Sequence, residues 1–156
     1  TRSYALELCF HFVKNFEELK AIRNNILRSH IESKITEKDL PSHPAVEEII
    51  SVLSEKELNN PKIPDMLIGY FCDMASVIRE WSEILAKGAK IAMVVDNVRF
   101  EGEMVPVDLI LSDLAEQAGF EIKKIFIARY KGNSSQQMKK YGRQPVRESI
   151  VIWRKR

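Results

Sequence analysis

Lys90-Ile91-Ala92-Met93-Val94-Val95-Asp96 decides the fold. Five consecutive apolar residues between a lysine and an aspartate predict a fully buried strand, of the kind that runs parallel to its neighbours inside an α/β sheet. Just upstream, Leu67, Phe71, Met74, Ile78, Trp81 and Leu85 recur at helical spacing over residues 65–87, and Gly88 stands where a left-handed residue would end that helix. Downstream, Pro106 opens another helix with Val107, Ile110, Leu111, Leu114 and Ala118 facing inward, and Gly119 stops it. Residues 120–130 and 146–154 read as two strands. The segment between them is rich in Gly, Ser, Gln and Lys and reads as a long loop, functional or mobile by its length. Strands joined in this way are expected to be antiparallel neighbours.

The expected class is therefore α/β: one parallel strand plus a C-terminal antiparallel strand pair, with flanking helices. A parallel strand needs a neighbour on each side, so the sheet reads as half of a larger one. Before it, residues 4–29 predict one long helix, with Leu6, Phe10, Val13, Phe16, Leu19, Ile22 and Ile26 on its apolar face. Residues 30–44 read as a surface connection. A short helix follows with Val46, Ile49, Ile50 and Leu53 inward, and residues 54–64 form a loop. The chain is expected to be one domain, a helical segment over 1–64 followed by the α/β layer over 65–156.

Composition narrows the function. The 156 residues are 45% hydrophobic and 29% charged, which excludes intrinsic disorder. No uncharged apolar run reaches the ~18 residues of a membrane span, and no secretory h-region follows Thr1-Arg2-Ser3, so the cytoplasm is the expected compartment. Cys9 and Cys72 form no CxxC pair, which argues against both a disulfide framework and a zinc site. The net charge of +2 hides an asymmetry. Residues 129–156 hold nine Lys and Arg against Glu148 alone, so this end carries +8 and the rest −6. A basic end on an acidic body is a footprint for a polyanion, nucleic acid first among them; solvated edge strands are the bland alternative.

Three blocks carry a family resemblance. The first is Tyr70-Phe71-Cys72-Asp73-Met74 with Glu80 and Leu85-Ala86-Lys87-Gly88. The second is Val94-Val95-Asp96-Asn97-Val98-Arg99-Phe100-Glu101-Gly102 followed by Val105-Pro106-Val107-Asp108. The third is Arg129-Tyr130-Lys131-Gly132-Asn133-Ser134-Ser135-Gln136-Gln137-Met138 with Tyr141-Gly142-Arg143 and Arg147-Glu148-Ser149-Ile150. Together they resemble the C-terminal half of S-adenosylmethionine-dependent DNA methyltransferases that modify cytosine N4 or adenine N6, and Arg2-Ser3-Tyr4 is similar to the start of the segment after that family's catalytic motif. The resemblance implies a Rossmann-like sheet, S-adenosylmethionine as cofactor in the complete enzyme, DNA as partner, and a role in restriction-modification. The family's glycine-rich F-x-G-x-G turn and its Pro-Pro-Tyr motif are both missing here, since the six glycines are scattered and no Pro-Pro pair occurs. The expectation is a chain inactive alone that supplies half a sheet, with no catalytic residue of its own. A missing N-terminal half or split subunit would complete it, and the bared flank of residues 91–95 would favour self-association.

The candidate site residues follow. Asp96 and Asn97 end the expected parallel strand, on the rim where α/β sheets bind ligands, and with Arg99 and Phe100 they are expected to border the base or cofactor cavity; a plain strand-end turn is the alternative. Lys131, Lys139, Lys140 and Arg143 are candidates to neutralise phosphates, and Asn133, Ser134, Ser135 and Gln136 to contact phosphate or base edges. Asp73 reads as a helix-packing carboxylate rather than a catalytic acid. Trp81 and Trp153 read as core, and the three histidines suggest no chemistry. Two other functions stay open: an RNA amino-methyltransferase, and a non-catalytic module that binds nucleic acid or a partner.

Overall fold

The structure, a computed structural model, describes residues 14–23, 25–31, 34–36, 43–132 and 135–156. Its elements are α1 (Phe16–Arg23), α2 (Pro44–Ser54), α3 (Ile63–Ile84), β1 (Lys90–Asp96), β2 (Val98–Phe100), β3 (Glu103–Val105), α4 (Val107–Gln117), β4 (Phe120–Gly132), α5 (Ser135–Tyr141) and β5 (Pro145–Lys155).

The last strand in the chain lies in the middle of the main sheet, whose order is β1-β5-β4. Both outer strands run antiparallel to β5, with Met93 and Ile125 each opposite Val151. The expected antiparallel pair of closing strands is thus present. The parallel pairing expected of β1 is not: its one partner among the described residues is β5, and the ladder is antiparallel. Nor is β1 fully buried. Ile91, Met93 and Val95 turn toward the helices, while Ala92 and Val94 look outward and Val94 is 61% exposed. An apolar run reveals that a strand is hydrophobic on both faces; it does not reveal that both faces are covered. Here the outer face carries the row Val94–Ile150–Phe126 with no described helix laid over it.

The inner face is covered by α3 and α4. Their buried residues Leu67, Phe71, Met74 and Ile78 and Ile110, Leu111 and Leu114 join Phe120, Val151 and Trp153 in one core, which Val46 and Leu53 of α2 extend. Both helices follow the expected apolar stripes because helical spacing over three or more turns leaves little alternative. The positive φ of Gly88 (84°) and of Gly119 (90°) serves the turns that lead into β1 and β4.

Three other expectations change. The helix expected over 4–29 is helical within the described residues only over α1, with turns from Asn25 to Ile31; residues 1–13 lie outside the described residues. Asn25 donates its side-chain amide back to the Ala21 carbonyl (3.2 Å), and Asp73 captures both the backbone and the guanidinium of Arg28, so tertiary bonds override the apolar period. The segment 131–145 is not all loop, since it contains α5, which Gly142 (φ 70°) follows. A small hairpin, β2–β3, went unseen because its strands have three residues each. Its two-residue turn, Glu101-Gly102, takes positive φ at both positions (46° and 84°), as primed hairpin turns require.

Candidate functional site

A cleft of about 890 Å³ opens where β1 ends. Val98 and Phe100 of β2, with Ile63, Met66 and Tyr70 of α3, make its apolar walls, and Asn59, Asn60, Asp96, Arg99 and Lys131 bring polar groups to it. All four residues expected at the rim, Asp96, Asn97, Arg99 and Phe100, lie on this one cleft.

Their local roles differ. Asn97 is 3% exposed and works as a brace. Its backbone N–H donates to the Arg147 carbonyl (3.0 Å), and its side-chain Oδ1 accepts from the backbone N–H of Asp108 (3.1 Å). It thereby caps the first turn of α4, whose own N-cap, Pro106, offers no side-chain acceptor. Asp96 accepts from Lys131 Nζ (2.7 Å) across the cleft mouth, and that carboxylate holds the lysine above its ordinary pKa. Arg99 spans the hairpin turn to the Gly102 carbonyl through Nη1 (2.9 Å), while its Nε is buried with no partner among the described residues.

Behind Asn97 lies a buried polar cluster that sequence reasoning missed. Asp108 is fully buried and accepts from Arg147 Nε (2.7 Å) and Nη2 (3.1 Å) and from Ser149 Oγ (2.6 Å). Burial pushes its pKa up; the hydrogen bonds from Arg147, Ser149 and Asn97 and the guanidinium charge together push it down further, so the net shift is downward. Trp153 Nε1 donates to Ser112 Oγ (3.3 Å), which in turn donates to the Asp108 carbonyl (2.7 Å). The cluster ties α4 to β5 and fixes the strand end on which the cleft is built. Tyr70, Asn59 and Asn60 were also missed as cleft residues. Burial raises the Tyr70 phenol, and its ring meets Phe71 edge-on at 5.1 Å.

The basic end looks different once folded. Arg129 and Lys131 pair with Glu148, Lys131 also with Asp96, Lys140 with Glu101, Arg147 with Asp108, Arg154 with Glu121, and Arg156 with Glu116. Of the cations expected to meet phosphate, Lys131 and Lys140 therefore already sit on carboxylates. Lys139 and Arg143 are exposed and have no carboxylate partner among the described residues. Asn133 and Ser134 lie outside the described residues; Ser135 and Gln136 begin α5.

Other readings of the sequence hold. Asp73 is a packing carboxylate, bound by the Arg28 backbone N–H (2.9 Å) and guanidinium (2.6 Å). Trp153 is core, fully buried, and Trp81 packs against the core. His43 caps α2, its Nδ1 accepting from the Ala45 N–H (3.1 Å). No helix among the described residues is long and apolar enough to cross a membrane.

The glycines bear on the cofactor that the resemblance implies. Gly69 lies inside α3, Gly88 and Gly119 precede strands, and Gly102 sits in the hairpin turn. Gly132 ends β4 of the main sheet and lines the cleft, but no second glycine stands two residues from it, so the described residues hold no G-x-G turn of the kind the resemblance leads one to expect.

A cleft at a strand exit, backed by helices on one face of a three-stranded antiparallel sheet, places the chain in the α/β class. The comparisons with known proteins sharpen that class. The chain is 38% identical to the type II methyltransferase M.AvaI of Nostoc sp. over 169 aligned positions, which cover 99% of this chain and 35% of that protein. M.AvaI of Anabaena variabilis gives the same figures, and the type II methyltransferase M.BsoBI of Geobacillus stearothermophilus is 36% identical over 99% of this chain. No family model and no solved structure matches. The chain is thus related in sequence to type II methyltransferases, and it spans about a third of the length of the curated relatives it matches.

Proposed function

We propose that the chain is the C-terminal part of an S-adenosylmethionine-dependent DNA methyltransferase of a restriction-modification system, acting in the cytoplasm on an exocyclic nitrogen, cytosine N4 or adenine N6. The observation that carries this reading is the 36–38% identity to type II methyltransferases along 99% of the chain. In it, residues 1–64 follow the catalytic motif and residues 65–156 supply the C-terminal half of the sheet. The edge of β1 away from β5, which bears no strand among the described residues, receives a parallel strand from the missing N-terminal half or split subunit, which completes a Rossmann-like sheet; without that half the same edge drives self-association.

In this reading Asp96, Asn97, Arg99 and Phe100 form one wall of the pocket for the flipped base or the cofactor. The apolar cleft with a few convergent polar groups supports that role. The segment from Lys131 to Arg143 contacts DNA, with Lys139 and Arg143 meeting phosphate and Asn133, Ser134, Ser135 and Gln136 phosphate or base edges. Lys131 and Lys140 enter with their charges already offset by Asp96 and Glu101.

The decisive experiment joins this chain to an N-terminal half that carries the glycine-rich turn and the Pro-Pro-Tyr motif, and follows transfer of labelled methyl groups to duplex DNA. Transfer is expected only when both halves are present, and its absence from a folded complex would refute the reading. By calorimetry the 156-residue chain alone is expected to show no saturable uptake of S-adenosylmethionine; tight binding would show that the cofactor site is here after all. In a salt series, the Lys139→Ala/Arg143→Ala pair is expected to flatten the slope of log affinity for duplex DNA by about 1.8, or ~0.9 for each phosphate left without its cation. An unchanged slope would place these two cations away from phosphate.

A further inference from the structure

Among the described residues Glu101 is the one non-glycine at positive φ, and its carboxylate-bearing side chain is 1% exposed. Neither property is cheap. A left-handed conformation costs a non-glycine residue roughly 1–3 kcal/mol, and a buried carboxylate survives only when hydrogen-bonded and charge-compensated. The compensation comes from two separate segments. Asn59 of the α2–α3 connection donates to Oε1 (2.6 Å), while Lys140 Nζ (2.7 Å) and the Tyr141 hydroxyl (3.0 Å) of α5 donate to Oε2. Lys56 donates to the Glu101 carbonyl (3.2 Å), and the neighbouring Gly102 leaves room for the Tyr141 ring, which a Cβ there would meet at 3.3 Å.

From this we infer that Glu101 is a positioning residue: its carboxylate latches α5 onto the hairpin at the rim of the cleft, and Lys140 belongs to that latch rather than to the surface that meets phosphate. α5 has seven residues, too few to hold a helix by its own backbone bonds, so its order must come from such tertiary contacts. The latch fixes where Lys139, next to Lys140 in sequence, stands relative to the cleft. It turns the sequence between β4 and β5 into a set surface beside the pocket. The DNA-facing half of this inference rests on the function proposed above; the latch itself does not.

The test uses the 156-residue chain and reads hydrogen exchange by mass spectrometry. Glu101→Gln and Lys140→Met are expected to speed exchange over residues 135–141 about tenfold, as loss of a charge-assisted bond predicts, with residues 107–117 unchanged. Lys139→Met is expected to leave residues 135–141 within about twofold of the parent. Should Glu101→Gln also loosen residues 107–117, Tyr141→Phe decides: deleting one hydroxyl is expected to speed exchange over 135–141 about threefold. Unchanged exchange in Lys140→Met and Tyr141→Phe would overturn the latch.

Duplex binding across a salt series separates the two roles. Lys139→Met is expected to lower the slope by ~0.9, while Lys140→Met lowers affinity at every salt concentration and keeps the slope. A drop of ~0.9 for Lys140→Met as well would return that lysine to the phosphate surface and overturn its assignment. If no variant binds DNA, nor the parent, the functional reading fails while the exchange data still judge the latch.

Discussion

Asp108→Ala is expected to destabilise the fold by about 3 kcal/mol, a large part of the roughly 5–15 kcal/mol of an ordinary domain. The substitution strands the Arg147 guanidinium and the Ser149 hydroxyl, and it takes away the carboxylate that accepts the Leu109 backbone N–H (2.9 Å) in the first turn of α4. Arg147 is 30% exposed and can recover part of its hydration, which keeps the figure at the lower end of what breaking a buried pair costs. Urea melts of parent and variant measure it, and a loss under ~1 kcal/mol would mean the cluster is not what holds α4 to β5. The pH dependence has a definite sign. The folded pKa of Asp108 lies below its unfolded value, so its contribution is complete above about pH 4 and disappears as pH falls through the lowered folded value. The stability gap between Asp108→Ala and the parent should therefore be narrower in strong acid and widen as the pH rises toward about 4.

Trp153→Ala is expected to cost about 4 kcal/mol, comparable to other truncations of buried aromatics. Trp153 has no exposed surface, lies 6.3 Å from the Phe120 ring centroid, and stands on β5 between the two outer strands, opposite both Ile91 and Ile122. Its removal opens a cavity that reaches all three strands at once and leaves Ser112 without its indole donor. Trp153→Phe separates the two contributions, since it keeps most of the packing and drops the hydrogen bond. It is expected to cost about 1–2 kcal/mol, and equal costs for both variants would show that cavity volume is not what matters at this site.

The parts of the fold that were legible are those with long periods. The α3 stripe from Leu67 to Ile78 and the α4 stripe from Val107 to Leu114 gave both helices and their inward faces, because several turns constrain one direction. β1 was legible as a strand but not as one with an uncovered face: Ala92 and Val94 are as apolar as Met93 and Val95, and only the arrangement of layers tells them apart. The hairpin and α5 escaped because three and seven residues carry no period worth reading. Asp96, Asn97, Arg99 and Phe100 fall on one cleft because they surround a strand exit, a place the sequence marks. Tyr70, Asn59 and Asn60 were not legible as cleft residues, since only folding brings them beside that exit. Charge was the least legible of all. Counting lysines and arginines cannot show that Glu101, Asp108 and Glu148 would neutralise Lys140, Arg147 and Arg129.

The central seat of β5 governs how the polypeptide can be made. β1 and β4 each pair with β5 and not with each other, so neither ladder can form until residues 145–155 have left the ribosome. During synthesis α3 and α4 must wait, their apolar sides exposed, for a strand still inside the exit tunnel. A translational pause just before the codon for Pro145 would lengthen that interval and is expected to prolong the nascent chain's stay on holding chaperones.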